Sequence, residues 1–264
     1  MNREAPVGVF DSGMGGLAVA ACIARELPSE SILYLGDVEH RPYGPRPAAE
    51  VAEYARAAEA FFQTQGAKAM VIACNTASVV ADRLRGALPV VGMVEPAVAA
   101  AVELRPRAIA VLGTRGTVDS GAYQRALAAA LPEARVVGRA CERVLRLAEV
   151  GGGDDPELLE RLLAECLDGV LDCDLAILAC TDFTCVRPAL DRVNTSRLRL
   201  LDPARAVAAE LRRRLEGDGL LSATTRARHR FCLTAPEPAF AAVGRSCFQL
   251  PVETVELVRL EVRR

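Results

Sequence analysis

AMVIACNTASV, residues 69–79, returns in altered form as LAILACTDFTC, residues 175–185. Each is an apolar run that ends in Ala-Cys and passes through small polar residues into an amphipathic segment. They differ where the first has Asn75 and Thr76 and the second has Thr181 and Asp182. A continuous apolar run leading into a helical pattern marks a parallel strand covered on both faces and its crossover helix. Runs of the same kind recur at VGVF (7–10), SILYL (31–35), PVVG (89–92), AIAVL (108–112), RVVG (135–138) and RLRLL (197–201). Between them Val51, Ala55, Ala58 and Phe62 repeat at helical spacing, as do Ala204, Val207, Ala208, Leu211 and Leu215. Such alternation predicts parallel α/β sheets with right-handed crossovers.

The repeat extends beyond the two cysteines. VGVFDSGMGG opens the first half as IAVLGTRGTV opens the second, and an Ala-Cys motif follows each at a comparable distance. A duplication is the simplest cause. It predicts two similar α/β domains, one of residues 1–96 with 205–264 and one of residues 97–204. GGGDDP (151–156) reads as a flexible loop, with Pro156 placed to open a helix.

At 264 residues the chain is long enough to bury a substantial core. A formal charge of −2 and scattered arginines argue against a nucleic-acid-binding surface. No apolar run approaches the ~18 residues of a membrane span. The N-terminus enters a strand almost at once and lacks the pattern of a signal peptide, which points to the cytoplasm. Nine cysteines without a Cys-x-x-Cys, and only His40 and His229, support neither a zinc site nor a disulfide scaffold. Cys22, Cys141, Cys166, Cys173, Cys232 and Cys247 read as small buried apolar residues. Cys185, inside the second motif, stays between that role and a functional one.

Four strands end in polar residues: Asp11-Ser12, Cys74-Asn75-Thr76, Thr114 with Thr117, and Cys180-Thr181-Asp182. Ligands of open parallel sheets bind at the carboxyl ends of strands. If the two halves face each other, the cysteines converge on one cleft from opposite sides. A thiol facing a helix N-terminus can be held as thiolate by the amides and the dipole. Two opposed thiols can remove a proton from one face of a carbon and return one to the other, which inverts a stereocentre. A rival exists in Gly13, Gly15 and Ala18, which match G-x-G-x-x-A with Asp37 where a ribose-binding acid belongs. Against it, Asp11 would set a carboxylate against the pyrophosphate, and the glycines equally suit a tight turn bringing a small anion to helix amides. Pyridoxal phosphate needs a Schiff-base lysine, and the only lysine, Lys68, precedes its strand.

VGVFDSGMGGL, YLGD…RPYG, VIACNTAS, VVGMVEP, VLGTRGTVDSGAYQ and LACTDF stand in the order of the cofactor-independent glutamate racemases of the aspartate/glutamate racemase superfamily, and the chain resembles them over most of its length. The resemblance implies two pseudo-symmetric domains with the substrate between them. It implies interconversion of L- and D-glutamate for the cell wall without cofactor or metal, in a family that commonly forms dimers. Cys74 and Cys180 correspond to the thiol acid/base pair and Asp11 to the carboxylate assisting Cys74. Ser12, Pro42, Tyr43, Gly44, Asn75, Thr76, Thr114, Thr117 and Thr181 correspond to substrate-binding positions, and Asp37 and Glu149 to acids at the edge of the site. For the threonines and Asn75, capping of turns and helices is a concurrent role.

Two departures stand out. Glutamate racemases carry His after the second Cys-Thr, where this chain has Asp182. An ionised carboxylate there disfavours the Cys180 thiolate, so unless Asp182 is protonated or turned away Cys180 is the harder thiol to activate. Asp182 therefore stands between a helix cap and a catalytic group. An aspartate racemase, or an acidic-ligand-binding homologue that has lost catalysis, remains an alternative. The second departure is Arg115-Gly116, where the family usually has an acidic residue and Ala.

Overall fold

The computed structural model describes residues 2–84, 86, 88–149, 155–195 and 198–262. The loop expected at GGGDDP therefore lies outside the described residues up to position 154. Past it, Pro156 does open a helix, Pro156–Leu167, and Asp155 caps it by accepting from Leu158 N at 2.9 Å.

All the expected strands form: β1 (Val7–Asp11), β2 (Ile32–Gly36), β3 (Ala69–Ile72), β4 (Val90–Val91), β5 (Ala108–Gly113), β6 (Arg135–Ala140), β7 (Leu175–Ala179) and β8 (Arg199–Leu201). Two more were not expected, β9 (Arg230–Leu233) and β10 (Glu256–Leu257). They extend the first sheet to the order β10-β9-β2-β1-β3-β4, whereas the second sheet is β6-β5-β7-β8. Every strand pair is parallel. RFCL is too short and too charged at its edge to announce itself; pairing with β2 makes it a strand.

The block β2-β1-β3-β4 repeats as β6-β5-β7-β8, which is the duplication expressed as topology. In register, β1 Phe10 pairs with β3 Ile72, and β5 Leu112 pairs with β7 Leu178. Counting on from these pairs, Ala73-Cys74 and Ala179-Cys180 occupy equivalent strand ends, and so do Ser12 and Thr114.

Helices cover both sheets. Helix Ala48–Thr64 buries Val51, Ala55, Ala58 and Phe62 on the first sheet, and the Phe62 ring lies flat enough on Gly8 that a Cβ there would sit 2.6 Å from it. Helix Ala204–Gly217 buries Ala204, Val207, Ala208, Leu211 and Leu215 in the core on the sheet's other face, with helix Leu17–Glu26. Fully burying one such side chain contributes roughly 1.5–3 kcal/mol. Helix Val94–Leu104 packs instead on the second sheet through Val94, Ala97, Val98 and Ala101.

Two cysteine expectations need correction. Cys141 and Cys166 are not independent apolar residues but form a disulfide, because helix Pro156–Leu167 turns its buried face onto the start of helix Glu142–Glu149 and brings their Cα atoms to 5.3 Å. Cys247 is exposed, since it follows helix Phe240–Ser246 at the rim of its sheet. Cys22, Cys173 and Cys232 are buried as expected. Among the described residues no helix is long and apolar enough to cross a membrane.

Candidate active site

Parallel strands aim their carboxyl ends at one region, and the two halves meet there. Asp11 closes β1 and is 2% exposed. Its Oδ2 accepts from Gly13 N at 2.9 Å, and its Oδ1 accepts across the interface from Thr181 Oγ1 at 3.4 Å. The Cys74 thiol, just past β3, donates to Ser12 Oγ at 3.6 Å. The Cys180 thiol, just past β7, donates to Asp182 Oδ2 at 3.3 Å. Both thiols are buried, 5% and 9% exposed, and close enough for charge on Cys74 to act on Cys180. The cleft is closed over them.

The electrostatics differ from the expected thiolate. Burial, then the charge of Asp11, pushes the Cys74 thiol up to about 12, against the Ala77 amide and the amide and hydroxyl of Ser12. Burial, then Asp182, raises Cys180 well above the ordinary thiol range. Desolvation outweighs the few amides at these short turns, so both thiols are shifted toward the protonated form. Asp182 is itself pushed up to about 8 by burial and by the charges of Asp11 and Glu149, with the Cys180 hydrogen bond and Arg41 opposing. It faces Cys180, and the shift favours its protonated form near neutral pH. Burial also raises Asp11 and Glu149, opposed chiefly by the Gly13 amide in the first case and by Arg41 in the second.

Beside the thiols the interface is laced with hydroxyls. Thr76 Oγ1 lies 2.9 Å from Thr114 Oγ1 and 3.2 Å from Thr117 Oγ1. Thr114 also caps its helix by accepting from Thr117 N, so capping and site roles coincide. Gly116 N donates to Gly44 O at 3.0 Å. Asn75, 2% exposed, accepts from Tyr123 OH at 2.6 Å through Oδ1, which leaves its Nδ2 buried with no hydrogen-bond partner.

Not every expected residue offers a polar group here. Asp37 is fully buried and already receives Tyr43 OH at 2.6 Å and Thr234 Oγ1 at 2.8 Å, with His40 Nδ1 at 2.9 Å. It anchors the Pro42-Tyr43-Gly44 turn from behind, and the Tyr43 hydroxyl points to it. Pro42 is half-buried in that turn, and half-buried Glu149 lies at the end of its helix within reach of the charges of Asp11 and Arg41. Three contributors were missed: Arg41, which opposes the acids; Tyr123, which orients Asn75; and Gly15. A Cβ at Gly15 would meet Thr181 Oγ1 at 2.4 Å and Asp182 Oδ1 at 2.7 Å. Tyr123 stood inside the GTVDSGAYQ motif and Arg41 opened the RPYG motif, though only Pro42, Tyr43 and Gly44 of the latter were assigned to the site.

The same contacts dispose of the dinucleotide rival. The turn after β1 spends its amides on Asp11, its glycine admits the second half of the protein, and Asp37 is committed. Lys68 is held away from the thiols by Glu30 at 2.5 Å and the carbonyls of Arg3 and Leu220. Among the described residues no group of three or more His, Cys, Asp or Glu is placed to hold a metal ion.

Two parallel sheets of repeated topology, with a buried thiol just past one strand of each, define the class of α/β protein to which the chain belongs. The chain belongs to the Asp/Glu/Hydantoin racemase family, whose profile matches residues 15–211. Its particular relatives are glutamate racemases. That of Thermus thermophilus is 39% identical over 263 residues, 98% of either chain. Solved structures agree: glutamate racemase from Bacillus anthracis superposes with a TM-score of 0.92 at 30% identity, over 99% of this chain and 100% of that one. Glutamate racemase from Francisella tularensis in complex with D-glutamate gives 0.89 at 28% identity, with the same coverage.

Proposed function

We infer that this protein is a glutamate racemase that interconverts L- and D-glutamate and so supplies D-glutamate for peptidoglycan precursors. The observation that carries the mechanism is the pair of thiols at equivalent strand ends, each with one carboxylate in its surroundings: Asp11 near Cys74, Asp182 on Cys180. One thiolate removes the α-proton and becomes a thiol. The opposite thiol gives its proton to the other face of the resulting carbanion and becomes a thiolate. By resemblance Cys180 takes the proton from the L-enantiomer and Cys74 from the D-enantiomer. The orphan Asn75 Nδ2 suits a substrate carboxylate, as do the hydroxyls of Ser12, Thr76, Thr114, Thr117 and Thr181 and the Gly44 turn. The domain carrying Asp11 and Cys74 takes residues 1–96 with 205–264 and that carrying Cys180 residues 97–204, the first junction falling in the opening turn of helix Val94–Leu104, which packs on the second sheet. The enzyme works in the cytoplasm as a homodimer, which sedimentation reads.

The test is incubation of purified protein with each enantiomer of glutamate and of aspartate in deuterated water. Optical rotation and α-deuterium are read together. Glutamate should lose rotation and gain deuterium from either enantiomer. Turnover of aspartate alone would make this an aspartate racemase, and no exchange with either would leave a ligand-binding protein.

A further inference from the structure

The seam of Thr76, Thr114, Thr117 and the Gly44–Gly116 hydrogen bond has an outer side as well as an inner one. Outside it lies a cavity of about 450 Å³, with Thr76, Gly44 and Gly116 on its wall. Arg46 and Arg83 line it from the first half, and Arg115 and Arg125 from the second; Asp82 and Asp119 line it too. Arg46 is paired with Glu50 and donates to His40 O at 2.7 Å. Arg83, Arg115 and Arg125 are exposed. The departure at Arg115-Gly116 falls on this seam. A Cβ at Gly116 would sit 2.7 Å from Gly44 O, so the glycine lets the halves close while its neighbour sets a cation on the lip.

Charge gives the cavity a use. The chain carries a net −2, and glutamate itself carries a net negative charge. The average field therefore repels the substrate. A local excess of guanidinium groups counteracts this within the ~8 Å over which exposed charges act at physiological salt. Access is also restricted, because the thiols are buried behind a hydrogen-bonded seam.

We propose that this cavity is an outer anion subsite, where Arg83, Arg115 and Arg125 gather the acidic amino acid before the Thr76 seam opens to the thiols. The proposal rests on the racemase reading and deepens it. It is tested with the full-length protein by measuring kcat and KM for L-glutamate at low and high sodium chloride, beside an Arg83→Gln, Arg115→Gln, Arg125→Gln triple variant. At low salt the variant's kcat/KM should be roughly three- to tenfold lower, with most of the loss in KM. The parent's kcat/KM should fall with salt and the variant's should stay nearly flat. Equal salt slopes in two folded proteins, judged by circular dichroism, overturn the proposal. If neither protein racemises glutamate, the racemase reading fails separately, and calorimetric binding of glutarate decides instead. Weaker, less salt-sensitive binding to the variant keeps the anion subsite; an unchanged Kd removes it.

Discussion

At the scale of single residues, the proposed mechanism turns on the Cys180–Asp182 contact. The Asp182 carboxyl, ordinarily ionised far below neutrality, is held up to about 8. Below that pH the pair keeps both protons; above it one leaves, and the remaining proton can rest on either partner. A Cys180 thiolate facing a protonated Asp182 has the same proton count as a Cys180 thiol facing an ionised Asp182. Above that pH, sharing lets some Cys180 thiolate form without loss of a second proton. Turnover that uses Cys180 as base should rise with pH between about 7 and 9, around the raised Asp182 pKa. Asp182→Asn keeps a neutral partner beside Cys180 but cannot ionise, so its rate should go on rising above about pH 9, where the parent's levels off. Because the free enantiomers are equal in energy, kcat/KM must change equally in both directions, and any bias appears in kcat and KM together. A pH–rate profile of Asp182→Asn matching the parent would show that Asp182 only caps its turn. An imidazolium favours the thiolate, so Asp182→His should raise the L-to-D kcat at neutral pH. If it abolishes activity instead, Asp182 itself works in the proton transfer.

At the scale of elements, the sequence was legible wherever a run was long or repeated. Continuous apolar stretches announced β1 to β8, and the doubled Ala-Cys ending put both thiols at strand ends. RFCL was not legible because its strand character comes from pairing with β2, and the Cys141–Cys166 bond was not because it depends on two helices meeting. The site was legible through its motifs, but their glycines were read only as a turn. Gly15 is required by contact between the halves, which no local pattern encodes. Gly15→Ala should therefore cost at least tenfold in kcat/KM, since the halves must separate where Thr181 meets Asp11, while the far-ultraviolet circular dichroism stays unchanged. Gly8→Ala should do the reverse. Its Cβ strikes the Phe62 ring, and overpacking costs about 1–3 kcal/mol of stability in denaturant titrations, with activity kept in the folded fraction.

At the scale of the whole molecule, the chain leaves the first sheet, builds the second and returns, so the amino ends of the first sheet must be tied to the returning segment. Lys68 does this: fully buried, it binds Glu30 at 2.5 Å, Arg3 O at 2.6 Å and Leu220 O at 2.8 Å, while Glu30 accepts from Ser222 N at 2.8 Å. Lys68→Met strands a buried carboxylate and should cost about 3–5 kcal/mol, read from the unfolding free energy in urea. In the proposed mechanism the two halves, closed over one cleft, present one thiol to each face of the ligand. The most direct test of that arrangement is the reaction of Cys74→Ser and Cys180→Ser with the two enantiomers of glutamate bearing chlorine on the β-carbon, from which a single base can expel chloride. Both variants should lose racemisation of glutamate. Each should still release chloride from one enantiomer, and the two variants from opposite ones. Release from the same enantiomer by both, or near-normal racemisation by either, would contradict the assignment of one thiol to each face.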